Sequence, residues 1–204
     1  MTTQSCTLTP NGNGTFSGLW GGTGGTPTYS YTEIDEGFSP PSDTDYITCA
    51  SDSASGFWLL SDCPSDWVTA LTCTARIRAQ DSGKGTPRDW NTIQIFKSDE
   101  STALTGTASL AASTSASWAT FTASLTITGA TDKTSWDGAR VKLTSNSGGS
   151  GSAWLSALQI EMTYDDTAAP AYDPSTGTFN RVGTLEDAVH TVICKANKIE
   201  VQPY

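Results

Sequence analysis

Between Ala119 and Ile127 apolar and hydroxylated residues alternate without interruption. Ala119, Phe121, Ala123, Leu125 and Ile127 take the odd positions, and Thr120, Thr122, Ser124, Thr126 and Thr128 the even ones. A period of two places successive side chains on opposite faces of an extended chain, so this segment predicts a half-buried strand and excludes an amphipathic helix. Residues 67–79 repeat the pattern: Leu71, Cys73, Ala75 and Ile77 on one face, Thr72, Thr74, Arg76 and Arg78 on the other. Further strands are expected around Ile93 and Ile95, Val141 and Leu143, and Leu158, Ile160 and Met162. Shorter buried strands are expected at 46–49 and 57–60. Between about Cys6 and Gly25 the chain is polar and Gly-rich, and reads as an edge strand plus a loop. The run 145–152 has the composition of a hairpin loop. Strands separated by turn signals, with no helix between them, predict an all-β fold: an antiparallel, jelly-roll-like β-sandwich over residues 1–164.

The pattern changes after Tyr164. Residues 165–184 contain two prolines, small residues and acids, and read as a linker or extended arm. Beyond it Leu185, Ala188, Val189, Val192, Ala196 and Ile199 recur at steps of three and four, with Thr184 at a cap position and Lys195 and Lys198 near the far end. This predicts a short amphipathic helix in 185–204. A hairpin of Val192-Ile193 with Ile199-Glu200-Val201 about Ala196-Asn197-Lys198 is the competing reading. Either form needs a partner for its apolar stripe, which makes Leu185, Val189, Val192 and Ile199 candidate attachment residues.

Charge narrows the partners. With 11 Lys+Arg against 21 Asp+Glu and a net charge of -10, the chain lacks the basic patch that gripping a phosphate backbone requires, so nucleic acid is not an expected partner. No apolar run reaches the roughly 18 residues of a membrane span, so no membrane partner is expected either. Met1 to Ser5 has neither a basic nor an apolar leader region, so a cleaved export signal is not expected, and the Asn13-Gly14-Thr15 sequon reads as accidental. The five cysteines contain no CxxC pair and read mainly as small buried hydrophobes.

Catalytic chemistry finds little support. His190 is the single histidine and falls on the polar side of the predicted helix, so no Ser-His-Asp or Cys-His arrangement can be assembled. The carboxylate pairs Asp35/Glu36, Asp43/Asp45 and Asp165/Asp166 could serve a glycosidase, but all lie in or beside turns, where Asp normally bonds backbone. Asp43-Thr44-Asp45 offers calcium two carboxylates outside any D-x-D-x-D-G loop, and Gly21 to Gly25 lacks the ending of a P-loop. No catalytic residue, cofactor or metal is therefore assigned. Flat rings that can stack on sugar faces are the remaining candidates. Trp20, Tyr29, Tyr31, Trp90, Trp136 and Trp154 occur near loops or strand ends, and Trp20, Tyr31, Trp90 and Trp136 are the predicted glycan contacts. Core packing is the competing explanation for each.

Glu33-Ile34-Asp35-Glu36 followed by Asp43-Thr44-Asp45-Tyr46-Ile47 resembles a pattern of accessory virion proteins of tailed bacteriophages. There an early Trp/Gly-rich stretch precedes an Ile/Val-Asp-Glu turn, an Asp-Thr-x-Tyr-Ile/Val strand and the strands of a jelly-roll-like sandwich. Residues 16–164 fit that outline. The resemblance implies a non-enzymatic structural or decoration role on capsid or tail, as a homo-oligomer bound to other virion proteins and assembled in the host cytoplasm. A carbohydrate-binding module or host-glycan adhesin is the alternative.

Overall fold

A computed structural model describes residues 2–18, 20–22, 30–35, 37–38, 43–81, 88–110, 117–146 and 150–166, together with the backbone of four strands between 171 and 203. The first sheet contains β1 (Thr3–Leu8), β3 (Trp20–Gly22), β4 (Ile47–Cys49), β6 (Trp67–Asp81), β9 (Ala119–Leu125) and β11 (Ala153–Asp166) in the order β3-β4-β11-β6-β9. Strand β1 pairs with the far half of β11, on the edge that β4 occupies at the near half. Between them the carbonyl of Ile34 accepts the Leu158 N–H at 3.2 Å, so a one-turn 3-10 segment, Tyr31–Glu33, plugs the gap. The second sheet runs β2 (Pro10–Ser17), β5 (Ser55–Leu60), β10 (Arg140–Ser145), β7 (Trp90–Phe96), β8 (Ala108–Ser109). Every ladder is antiparallel, and the inward residues of both sheets form one core. The all-β, sandwich expectation is what the chain adopts.

Aromatic side chains fill both ends of that core. At one end Trp58 stands edge-on to Phe16 and Trp20, 5.2 and 5.6 Å between centroids, and Trp20 stacks on Trp90 at 5.5 Å. Gly56 makes this possible, because a Cβ there would lie 2.7 Å from the Phe16 ring and 2.8 Å from Trp58. At the other end Trp67 stacks on Tyr164 at 4.8 Å and leans on Trp136 at 5.9 Å. Trp136 arrives there on α1 (Lys133–Trp136), a single turn started by Asp132, whose carboxylate accepts the Ser135 N–H at 3.0 Å.

Three sequence expectations are corrected. Strands β10 and β11 belong to different sheets, so their connection crosses the sandwich and is not a hairpin. The segment 6–25 supplies three strands across both sheets, because β1, β2 and β3 each find a different partner. Leu71 is 43% exposed and does not join Cys73 in the core. In the ladder Thr163 faces Thr72 while Tyr164 already faces Ala70, so β6 carries a bulge that turns Leu71 outward.

Strand β11 continues through Asp165 and Asp166, which are therefore not part of a linker: Asp166 accepts from the Thr2 N–H at 2.7 Å and the Thr2 hydroxyl at 2.6 Å. Within the predicted arm lie β12 (Ala171–Asp173) and β13 (Thr178–Asn180), followed by β14 (His190–Lys195) and β15 (Lys198–Pro203). The four form their own sheet in the order β12-β13-β14-β15. The predicted helix is thus replaced over 190–203 by its competitor, a hairpin in which Val192 faces Val201 and Cys194 faces Ile199. The β-branched runs on both sides of Ala196-Asn197 favour the pleated form. Leu185 and Val189 lie outside the described residues.

One end of the sandwich is tied by Arg88, only 4% exposed, which donates to Gly151 O at 3.0 Å and Asp52 Oδ1 at 2.7 Å. Its neighbour Asp89 is also buried, and among the described residues Asp89 Oδ1 has no hydrogen-bond partner. Burial, then the nearby Asp81, pushes the Asp89 pKa up. The native state therefore holds this proton more tightly than the unfolded chain. The associated stability is present below the ordinary carboxylate range and is lost as pH rises through the raised value. Asp89→Asn is expected to raise the melting temperature at pH 7 by roughly 2–4 °C and to flatten its pH dependence above that range, read by calorimetry.

Candidate functional site

The structure places three of the predicted glycan contacts in the core. Trp136 is fully buried, Trp90 and Trp20 nearly so, and each indole N–H is spent on backbone: on Ala130 O at 2.9 Å, Trp154 O at 3.1 Å and Ser17 O at 2.8 Å. Large rings near strand ends gain more from covering the open ends of a sandwich than from facing water. Tyr31 packs partly against the same core, and its N–H donates to Asn13 Oδ1 at 2.8 Å. Tyr29 lies outside the described residues.

A different set of rings meets on the outer face of the first sheet. Tyr46 precedes β4 in phase with Thr48, Trp118 precedes β9 in phase with Thr120, and Trp154 sits opposite both Thr48 and Gln80. All three are half-buried. Tyr46 and Trp154 are stacked, 4.9 Å between centroids at 11°, and Trp118 leans on both at 5.8 and 6.3 Å. Trp154 belonged to the wider set of rings read from the sequence, whereas Tyr46 and Trp118 were missed. Their signal was available in phase: Tyr46 alternates with buried Ile47, and Trp118 with the inward Ala119/Phe121 series.

Hydrogen-bonding groups continue this face along the sheet. Arg78 donates through Nε and Nη2 to the two oxygens of Asp43 at 2.5 and 2.6 Å, and the Ser156 hydroxyl donates to Asp43 Oδ1 at 3.4 Å. Ser156 is the extra residue of a bulge in β11, since Leu155 faces Ala79 and Ala157 faces Arg78. The Arg78 bond holds the Asp43 carboxyl below the usual carboxylate range, and Asp43 in turn holds the guanidinium charged. Two residues along β6, Arg76 lies over the Phe38 ring at 4.6 Å and pairs with Glu161 at 3.4 Å, and Gln159 donates to the same carboxylate at 2.7 Å.

This arrangement answers the other chemical candidates. A fork of guanidinium N–H groups occupies the oxygens that Asp43 would have offered a calcium ion. A glycosidase acid needs a carboxyl pKa raised toward neutrality, and Asp43 is moved the other way. Asp165 and Asp166 serve the N-terminal strand, with Asp165 accepting from the Thr3 hydroxyl at 3.3 Å. Burial pushes the thiols of Cys63 and Cys73 up to about 12 and that of Cys6 to about 11, so these cysteines stay protonated and make poor nucleophiles. The motif that carries the virion resemblance has structural work: Ile34 and Ile47 are fully buried, Asp43 grips Arg78, and Tyr46 enters the aromatic cluster.

The molecule is thus defined as an antiparallel β-sandwich with an aromatic cluster on one outer face, continued by paired charges. No family model and no curated protein matches the chain. Among solved structures it is similar to the C-terminal CBM6 of LamC, a marine laminarinase from Zobellia galactanivorans, with TM-score 0.38 and 10% identity over 78% of this chain and 99% of that one. A family 29 carbohydrate-binding module in complex with mannohexaose has TM-score 0.36 and 11% identity, over 79% of this chain and 93% of that one. The enzymatically active domain of bacteriophage CBA120 tailspike protein 4 has TM-score 0.38 and 10% identity, over 76% of this chain and 19% of that one. The fold class rests on the strand pairing described above rather than on these likenesses.

Proposed function

We propose that the protein is a non-catalytic carbohydrate-binding β-sandwich whose ligand face is the outer surface of the first sheet. The observation that carries this reading is the distribution of its seven tryptophans. Trp20, Trp58, Trp67, Trp90 and Trp136 are buried, while Trp118 and Trp154 stay half-exposed and share one face with Tyr46. Leaving large rings in water forgoes burial energy, about 25 cal/mol per Å² of apolar surface, and a cluster of them marks a contact surface. Rings that stack on the apolar face of a pyranose, beside groups that bond its hydroxyls, are a sugar-binding chemistry. A glycan array with wild type and Trp154→Ala tests it: loss of every wild-type signal in the variant supports the reading, and no signal from the wild type removes it.

As a second reading, we infer that this body is displayed on a tailed-phage particle through residues 167–204, in contact with capsid or tail subunits and in several copies. Its support is that β12–β15 pair with one another and share no ladder with either sheet of the sandwich among the described residues. Many modest interfaces would hold such a display firmly through multivalency. Deleting 167–204 is expected to leave the melting temperature of the body within about 2 °C of wild type while abolishing incorporation into particles. Unchanged incorporation would remove the attachment role.

A further inference from the structure

None of the described cysteines belongs to the aromatic face, and two of them come together inside the body. We propose that Cys6 and Cys63 are the two halves of a disulfide that closes when the protein meets a disulfide oxidant, stapling the N-terminal strand to the connection between β5 and β6. The inference stands apart from the carbohydrate reading.

Topology selects the pair. The chain crosses between the sheets twice at one place: from β1 to β2 through Thr9, and from β5 to β6 through residues 61–66. The two crossings are joined, since the Ser61 N–H donates to Thr9 O at 2.8 Å and the Thr9 N–H to the Ser61 hydroxyl at 3.1 Å. Pro10 faces Leu60 in an antiparallel ladder, so Cys6, just before Thr9, and Cys63, just after Ser61, are carried to the same end of the core. Cys63 is buried there, with its N–H held by Asp137 Oδ1 at 3.1 Å, and Cys6 packs partly buried against the same core. Both are thiols in this structure. Burial first, then Asp137 and then Cys6 push the Cys63 thiol up, which puts the two sulfurs within electrostatic reach of each other.

The other described pairings fail. Cys6 and Cys73 face Met162 from opposite sides of β11, so two strand spacings, roughly 9–10 Å, separate them. A disulfide needs Cα atoms within about 7 Å. Cys49 lies opposite Ala153, at the far end of β11 from Met162. The Cys73 thiol is raised by burial alone, with no influence from another sulfur.

The chemistry is thiol–disulfide exchange with a low-molecular-weight disulfide such as oxidised glutathione. The Cys6 thiolate, at the more exposed sulfur, attacks the external S–S bond and expels one small thiolate, and the Cys63 sulfur then displaces the second. One external S–S bond is reduced to two thiols, which take up the two cysteine protons, and one internal S–S bond forms. Burial keeps both cysteines protonated, so the exchange is slow, and a reducing compartment keeps the pair open. Closure acts on a strand that needs it: Thr3, Gln4, Ser5 and Thr7 are exposed, and among the described residues β1 shares a ladder with β11 alone.

The test compares the full chain kept in dithiothreitol with the full chain after prolonged incubation in oxidised glutathione, by peptide mapping without reduction and by thermal melting. A linked Cys6–Cys63 peptide is expected, with a melting temperature roughly 10 °C above that of the reduced form. Cys6→Ala, at a half-buried position, should fold and lose the whole oxidation-dependent gain. Cys194→Ala should keep it. A map in which Cys6 or Cys63 stays unlinked, joins a different cysteine or carries only glutathione overturns the pairing. A linked pair with an unchanged melting temperature overturns the staple.

Discussion

Trp154→Ala is expected to weaken sugar binding by roughly 30- to 100-fold while barely changing stability. Trp154 makes the tightest stack of the cluster, on Tyr46 at 4.9 Å, and also leans on Trp118 at 6.3 Å. Its removal deletes a stacking surface and also frees its neighbours to turn, so about 2–3 kcal/mol of binding is at stake. The fold should survive because the side chain is only half-buried and the Trp90 N–H is held by the main-chain carbonyl of residue 154, which alanine retains. Titration with the best-binding sugar, beside a thermal melt, checks both halves. A variant that binds like wild type would relocate or remove the site.

Trp136→Ala is expected to do the reverse. The ring is fully buried, leans on Trp67, and donates its N–H to Ala130 O at 2.9 Å. Emptying that volume costs about 3–5 kcal/mol, and for a chain of this size lowers the melting temperature by roughly 10 °C. Trp136→Phe, which keeps a ring but loses the N–H, should fall between. Sugar affinity measured well below the lowered transition should match wild type, because the residue sits between the sheets and not on the face. If Trp136→Ala instead spared stability and cost affinity, the original assignment of this ring as a glycan contact would be restored.

Much of the architecture was legible along the chain. The alternation in 67–79 and 119–127 marked β6 and β9, and the apolar pairs at 93/95 and 141/143 marked β7 and β10. Which strands share a sheet was not legible, because a Gly/Ser-rich connection reads alike whether it closes a hairpin or crosses the sandwich. The C-terminal segment was ambiguous for a related reason. Apolar residues at 192, 196 and 199 satisfy a helical period, while β-branched residues at 192, 193, 199 and 201 suit a pleated one, and strand pairing decided between them.

The candidate site divides in the same way. That Tyr46 and Trp118 point away from the core follows from residue order, since Tyr46 directly precedes buried Ile47 and Trp118 is out of phase with buried Ala123 and Leu125 of the strand it leads into. Trp154 does not follow. In an unbroken β11 it would share the inward face of Leu158, Ile160 and Met162, and the extra residue Ser156 reverses the phase before it reaches Trp154. A one-residue slip exchanges the two faces of a strand, and a bulge performs that exchange halfway along. Local alternation is a property of neighbouring residues, so it can be read from the chain. Where a bulge falls depends on the partners β4 and β6 on either side of β11. That pairing, and with it the meeting of three rings on one face, exists only in the assembled sheet.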